Sequence, residues 1–432
     1  METNDIVRYI TGFLLGDEAD AAISLVGYTG DAKMFERYAL VIVPSGFFDK
    51  GMYGAPASIP AMPLKRIEGL PFLFGKMKEE TAGNTQVIYA DLIASAYFLV
   101  SRYEEMVRRD VRDVHGRFPG RESVPFKANF IHRPLLDEYR LLIRRRLGLP
   151  APQEGIKRIF LTHDIDAPFL YRSWKGVMRS IRDKRGVVRS IRDKYGRMED
   201  DPYYTFPRIF EKDSLAKEKS ANVSSIFFLK GGGGRKAEDK PRYSLKSRDI
   251  RKLAGDIIAN GASIGLHASY EAGINSSLIR KEKENIEQSL GVSVSCNRHH
   301  FLASREPEDM DCLEAAGISD DFTLGYADVA GFRLGTCHPV RRINPVTRRL
   351  TSLRLHPLTV MDCTLNDGKY MGLSYQAASA YCLRLIQETE RMGGEVSLLW
   401  HNTSMREDVP RNYLHTLYTF LLDNLTGQAD DR

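Results

Sequence analysis

The 432 residues, 43% hydrophobic and 27% charged, have the composition of a folded globular chain long enough for two domains. That balance excludes a disordered or fibrous chain, and no apolar run approaches the roughly 20 residues needed to cross a bilayer. The net charge of +6 is modest, but it is concentrated in two stretches, Arg140 to Gly148 and Arg172 to Arg197. Such basic surfaces suit nucleic acid, anionic lipid or an anionic substrate, or simply form a solvated helix face. The N-terminal sequence METNDIVRYITGFLLGDEAD lacks a basic start, a continuous apolar stretch and a small-residue cleavage site. It reads as no export signal, and the expected location is cytoplasmic.

In chain order, Tyr38 to Gly46 (YALVIVPSG) predicts a short strand closed by a turn. Asp91 to Arg109 has helical apolar spacing with an acidic start. Arg133 to Gly148 carries Pro134 near its beginning and ends in glycine, as a helix does. Gly148 to Gly155 (GLPAPQEG) is a Pro/Gly linker, so we divide the chain into an accessory N-terminal α/β domain, residues 1–150, and a second domain, residues 155–432.

The second domain alternates strand-like and helix-like runs. Strands are predicted at Arg158–Asp166, Val223–Gly234, Ala262–His267, Ser295–Leu302, Asp320–Gly325, Leu355–Cys363 and Glu395–Asn402. Helices are predicted at Ser247–Asn260 and Leu373–Met392, each closed by glycine. This alternation predicts parallel strands with helical crossovers, closed or nearly closed into a barrel, with a doubly wound sheet as the other solution. Gly231 to Gly234 reads as a flexible loop, because no phosphate-binding GK[ST] follows it. One repeat is present: Val177–Gly186 (VMRSIRDKRG) is followed directly by Val187–Gly196 (VVRSIRDKYG). We read it as a basic helical insertion after the first barrel strand, near the site mouth.

Five cysteines, Cys296, Cys312, Cys337, Cys363 and Cys382, make an odd count without a CxxC pair, which fits reduced thiols. Ligand-type residues instead gather at the carboxy-terminal ends of the strand runs: Asp164 and Asp166, His267, Arg298 with His299 and His300, Asp320 and Asp321, and His401. Active sites of barrels and open α/β sheets form at that edge. Asp164 and Asp166, two apart on a strand, face one cavity, and a divalent cation between them relieves their repulsion. Arg298 and His300 share a face opposite His299, so one of the two histidines is packed. His401 ends an apolar strand, where a general acid fits. Glu271, four residues after His267, reads as a second ligand or, more simply, as a solvated acid. His338 and His356 read as structural.

At these residues the sequence resembles the polysaccharide deacetylase (NodB-homology, carbohydrate esterase family 4-like) superfamily, in a divergent branch with a THDxD first motif. The set THDID, GLHASYE, NRHHFL, DDFTLGYAD and LLWHN spans nearly all of Lys157 to Arg432. SRYEEM, HGRF and HRPLLDEY in the first domain look like the uncharacterised domain that accompanies this branch in bacteria. The resemblance implies a distorted (β/α)7 barrel that removes acetyl groups from amino sugars with a divalent metal, zinc first among them. It implies that Asp164 is the base, Asp166 and His267 are metal ligands, Arg298 steadies the base and His401 is the acid, with His300 at the substrate. Ile165 separates two aspartates that the family has adjacent, which leaves base and ligand roles exchangeable. The second metal histidine has Glu271 in its place, with His163 or His300 as substitutes. The expected partner is therefore a carbohydrate and not nucleic acid, with a catalytically inactive carbohydrate-binding or scaffolding relative as the alternative.

Overall fold

The computed structural model describes residues 3–184 and 186–427. Met1 and Glu2 of the segment read for an export signal, Arg185 of the first repeat copy, and the last five residues of the 155–432 domain lie outside them. Among the described residues no helix is long and apolar enough to cross a membrane.

Every one of the seven expected runs carries a strand. We label β1 (Arg158–Ile165), β2 (Val223–Lys230), β3 (Ser263–Ala268), β4 (Cys296–His299), β5 (Asp320–Asp321), β6 (Val340–Asn344), β7 (Arg349–Leu355), β8 (Val360–Met361) and β9 (Glu395–Leu399). They form one nine-stranded sheet in the order β6-β7-β5-β4-β3-β2-β1-β9-β8, parallel throughout except for the antiparallel pair β6 and β7. The central strands read as continuous apolar runs because helices cover one face and the barrel interior the other.

The sheet is curled into a half-barrel. The chain leaves β7 on one edge and re-enters as β8 on the other after only four residues. His356 N–H donates to Asp321 O at 2.9 Å, and Thr359 N–H donates to Ser397 O at 3.0 Å, so residues 356–359 draw the two edges together. Beneath the site Phe160, Ile226, Phe228 and Phe322 fill the interior. Gly265 makes room for them: a Cβ there would lie 2.5 Å from the Phe228 ring.

The expected run Leu355–Cys363 is thus two strand pieces, and Asp320–Gly325 and Ser295–Leu302 shorten to two and four residues. The stretch Gly231 to Gly234 is not a flexible loop. A Cβ at Gly231 would stand 2.1 Å from the Glu282 carbonyl, and at Gly233, with φ +79°, 2.7 Å from Asp239. Gly231 thus lets the chain press against the helix Leu278–Leu290, and Gly233 lets it pass close to Asp239.

In the N-terminal part the expected single strand grows into a sheet. Val26–Tyr28, Leu40–Ile42, Thr85–Ala90 and Gly75–Ala82 form four strands in that spatial order, beside a hairpin of Lys65–Ile67 and Leu70–Phe72. Three-residue strands are too short to show a period, and Gly75–Ala82 is a polar edge strand exposed along its length. The helix expected at Asp91–Arg109 breaks at Arg102, whose φ is +59°, into Leu92–Val100 and Tyr103–Val107. The helix Leu135–Arg146 forms as expected. Apolar residues of both parts, including Tyr97, Leu136, Phe227 and Trp400, belong to one continuous buried core.

Candidate active site

The first strand sorts its side chains by alternation. Thr162 and Asp164 face the barrel interior, while His163 turns outward, where its Nε2 lies 3.1 Å from Asp213 Oδ2 and its Nδ1 donates to Trp400 O at 3.1 Å. His163 is therefore held away from the cavity and cannot stand in as a ligand. Asp166 follows the end of β1 with a side chain 35% exposed, at the open end of the site.

Three strand-end groups meet at Asp166. His267 Nε2 lies 3.1 Å and His300 Nε2 3.2 Å from Asp166 Oδ1, and His401 Nε2 lies 3.6 Å from its Oδ2. Asp166, His267 and His300 each offer one ligand atom within 4.8 Å of the others. His300, expected at the substrate and also open as a substitute for the second histidine, thus lies beside the expected metal pair Asp166 and His267. Glu271 stays outside: its carboxylate faces Arg235 at 3.6 Å, and its backbone N–H serves Asp239.

The donor set fits a divalent cation. Nδ1 of His267 donates to Arg298 O at 2.9 Å and Nδ1 of His300 donates to Asp239 Oδ1 at 3.0 Å, which leaves both Nε2 atoms turned toward Asp166. A carboxylate oxygen and two imidazole nitrogens are ligands that zinc takes in catalytic sites. Electrostatics agrees. Burial disfavours charge on His300, but the Asp166 charge and hydrogen bonds to Asp166 and Asp239 outweigh it and carry the pKa up to about 9. Burial likewise works against the Asp166 carboxylate, yet the facing histidines hold its pKa well below the usual range. The site demands positive charge at that point, from a proton or from a metal.

Asp164 belongs to a second pair. It is buried, its Oδ1 is 3.4 Å from Arg298 Nη1 and its Oδ2 is 3.7 Å from His267 Nε2. Arg298 is fully buried, donates to Thr162 Oγ1 at 2.7 Å and Phe322 O at 3.1 Å, and lies 4.9 Å above the Phe228 ring. Desolvation lowers its pKa, with Asp164 the first charge to counter that. Its Nη2 has no partner among the described residues, a polar atom left over in an otherwise satisfied site.

His401 makes the third pair. Asp362, fully buried, accepts from His401 Nδ1 at 2.8 Å and from its backbone N–H at 2.7 Å. Burial opposes charge on the ring, but the Asp362 carboxylate overcomes it and raises the His401 pKa well above the ordinary value. Asp362 directly follows β8, at the end of the expected run Leu355–Cys363, so the strand-end rule that singled out the other residues also applied to it.

Other expected residues lie elsewhere. His299 points away, bonded to Asn297 at 3.0 Å, and burial pushes its pKa down to about 3. Asp320 pairs with Arg354 and His356, and Asp321 serves Asn297 and Thr323, so neither reaches the cavity. With β5 only two residues long, both sit too deep. Asp137, Cys337 and His338 also come within 4.8 Å of one another, but Arg140 already supplies positive charge there, 3.2 Å from His338 Nε2.

The three-residue group and the two pairs open on a cavity of about 210 Å³ lined by Asp164, Asp166, His300 and His401 on one side. Leu302, Met361 and Leu399 form an apolar wall, and Arg117, Tyr370, Asp367, Phe301 and Cys363 complete it. Arg117 comes from the N-terminal part. Its Nη1 donates to Phe301 O at 2.8 Å and its Nη2 to Tyr370 Oη at 3.2 Å, while Asp113 holds its Nε at 2.8 Å. Nothing in the HGRF segment marked Arg117 as a site residue, since its partners at the cavity are 184 and 253 residues away.

A family model described as a family of unknown function (DUF7033) matches residues 21–149. No curated protein matches the chain. Among solved structures, a protein described as a polysaccharide deacetylase from Mycobacterium smegmatis shares 16% identity over 65% of this chain and 90% of its own, with a TM-score of 0.40. A mutant of a CE4 family pseudoenzyme shares 14% identity over 66% of this chain and 69% of its own at a TM-score of 0.32, and a mutant with restored enzymatic activity scores 0.30 at the same identity and coverage. At these levels the architecture rests on the strand order and register above.

Proposed function

We propose that this chain is a metal-dependent hydrolase of the polysaccharide deacetylase superfamily, built on a distorted (β/α)7 barrel in residues 155–432 with residues 1–150 as an accessory unit. In this reading β7 and β8 are one strand, which gives seven parallel strands. The observation that carries the proposal is the convergence of the Asp166–His267–His300 group, the Asp164–Arg298 pair and the Asp362–His401 pair on one small cavity.

Asp166, His267 and His300 would hold a divalent metal, zinc by the chemistry of the donors. Such an ion, when bound, polarises an acyl carbonyl and makes water a better nucleophile at neutral pH. Asp164 accepts the proton of the attacking water, and Arg298 fixes its carboxylate. His401, kept protonated and aimed by Asp362, delivers a proton to the departing nitrogen of the amino sugar. Leu302, Met361 and Leu399 offer the acyl methyl group an apolar seat. The cavity is below the roughly 300–1,000 Å³ of pockets that enclose drug-sized ligands, which suits an acyl group with the glycan lying across the mouth. The substrate class is an acetylated amino sugar or surface-polysaccharide precursor met in the cytoplasm.

The inactive-relative alternative drew its support from Glu271 in place of a histidine. His300 beside Asp166 weakens that ground. The test is metal content and turnover on an N-acetylated amino-sugar oligomer for wild type, Asp164→Asn and Asp166→Asn. We expect Asp164→Asn to keep its metal and lose about 10²–10⁴-fold in rate, and Asp166→Asn to lose both. The opposite pattern exchanges the two roles. If neither variant changes either quantity, the catalytic reading fails.

A further inference from the structure

The repeat after β1 folds into two helices, α1 (Trp174–Arg182) and α2 (Val187–Tyr195). Ser180 and Ser190 occupy the same position in the two copies, are buried, and meet at 2.9 Å between hydroxyls. Arg172 closes the root of the hairpin by donating to Gly196 O at 2.6 Å while pairing with Asp249.

What the helices present outward is unusual. Trp174, Met178 and Ile181 fall at i, i+4 and i+7 on α1, and Val188, Ile191 and Tyr195 at i, i+3 and i+7 on α2, so each set shares a face. They are 66%, 67%, 37%, 84%, 46% and 66% exposed. The Trp174 and Tyr195 rings meet edge-on at 6.4 Å, which joins the two stripes into one patch, and Lys194 Nζ lies 3.3 Å over the indole. Between Arg172 and Arg197 stand ten Lys/Arg against two Asp, a net +8 in a chain whose total is +6. The other residues together therefore carry −2, and the basic character of the protein resides in this hairpin.

We propose that the hairpin docks on an anionic membrane surface with the Trp174 patch seated in the headgroup region. A contiguous apolar patch is not left to water without a partner. A second copy would set +8 against +8. A nucleic acid would engage the charge but gives Met178, Ile181 and Val188 nothing to bury against. An anionic bilayer meets both features, since apolar side chains enter the acyl boundary while Lys and Arg face lipid phosphates. Nothing in this docking depends on the chemistry of the barrel.

The test uses the full chain and its own fluorescence. Of the two tryptophans, Trp400 is fully buried, so Trp174 reports the hairpin. Phosphatidylcholine vesicles containing a quarter phosphatidylglycerol should shift its emission to the blue and sediment the protein. Pure phosphatidylcholine should do so far more weakly, and salt should reverse the effect. Met178→Ser with Ile191→Ser should weaken partitioning by about ten- to a hundredfold, and Arg179→Glu with Arg189→Glu by at least about tenfold. These side chains are exposed, so melting temperatures should not move. Absence of binding to anionic vesicles overturns the proposal. So does a blue shift without lipid that grows with protein concentration, or saturation by duplex nucleic acid with vesicles left unbound.

Discussion

Replacing Asp239 by Asn isolates one carboxylate that never reaches the cavity yet governs a residue that does. Asp239 is 1% exposed and accepts from His300 Nδ1 at 3.0 Å, Tyr270 N–H at 2.8 Å and Glu271 N–H at 3.1 Å. Asparagine keeps the volume and one acceptor oxygen, but its amide must then face one of those donors. The His300 ring loses a charged partner that fixes its tautomer and strengthens its free nitrogen as a ligand. Losing such an outer carboxylate costs about 10–100-fold in metal affinity, or roughly 1.4–2.8 kcal/mol. Zinc dissociation constants from competition with a chelating dye, on protein stripped of metal, give the number. Asp213→Asn is the control, because Asp213 makes the same kind of bond to His163 on the outer face of β1. We expect Asp239→Asn to fall in that range and Asp213→Asn to match wild type. If Asp239→Asn folds and binds zinc within twofold of wild type, His300 is not a ligand. Equal losses in both variants would mean the effect is one of packing.

His356 lies between Asp320 at 2.9 Å and Glu395 at 2.8 Å, and these bonds overcome burial to raise its pKa above the usual 6.5. A raised folded pKa gives stability that is complete below about pH 6.5 and is lost as pH rises through the folded value. Urea melts should therefore show stability declining on the alkaline side, and His356→Gln should cost roughly 3–5 kcal/mol at pH 6 and flatten that decline. An unchanged slope would remove His356 from the account. Arg117→Met leaves the Phe301 carbonyl and Tyr370 without their donor, at about 1–3 kcal/mol. We expect a lower melting temperature and slower turnover with metal content intact, and normal turnover would show that the N-terminal part does not shape the cavity.

The sequence made the barrel readable wherever chemistry and periodicity coincide. In THDID alternation turns His163 away from the cavity that Asp164 faces, although the resemblance had left His163 open as a ligand. RHHFL separates His299 from Arg298 by the same rule. The apolar runs mark the strands of the large sheet except β6 and most of β7, while of the N-terminal strands only Leu40–Ile42 was marked. Three things were missed. Of the carboxylates that pair with the histidines, Asp239 sits in a loop, where no period reports direction, whereas Asp362 follows β8 and was open to the strand-end rule. The turn just past His300 was hidden too: Phe301 and Leu302 take φ of +61° and +52°. No propensity rule places two left-handed non-glycine residues in succession. Arg117 depends on a contact across the chain.

Those last two facts are linked. Left-handed backbone at a residue with a side chain costs about 1–2 kcal/mol, and here two occur together. The turn persists because the N-terminal part holds it from several directions. Arg117 takes the Phe301 carbonyl, His115 packs its ring 4.8 Å from that of Phe301, and Arg102 donates to both Ser304 Oγ and Ser304 O. Arg102 is itself left-handed, at the break in the helix expected at Asp91–Arg109, and its guanidinium also pairs with Glu105. Local rules are broken on both sides of one contact, and each breach is compensated by the other. The residues before 150 are therefore part of what holds the turn just past His300.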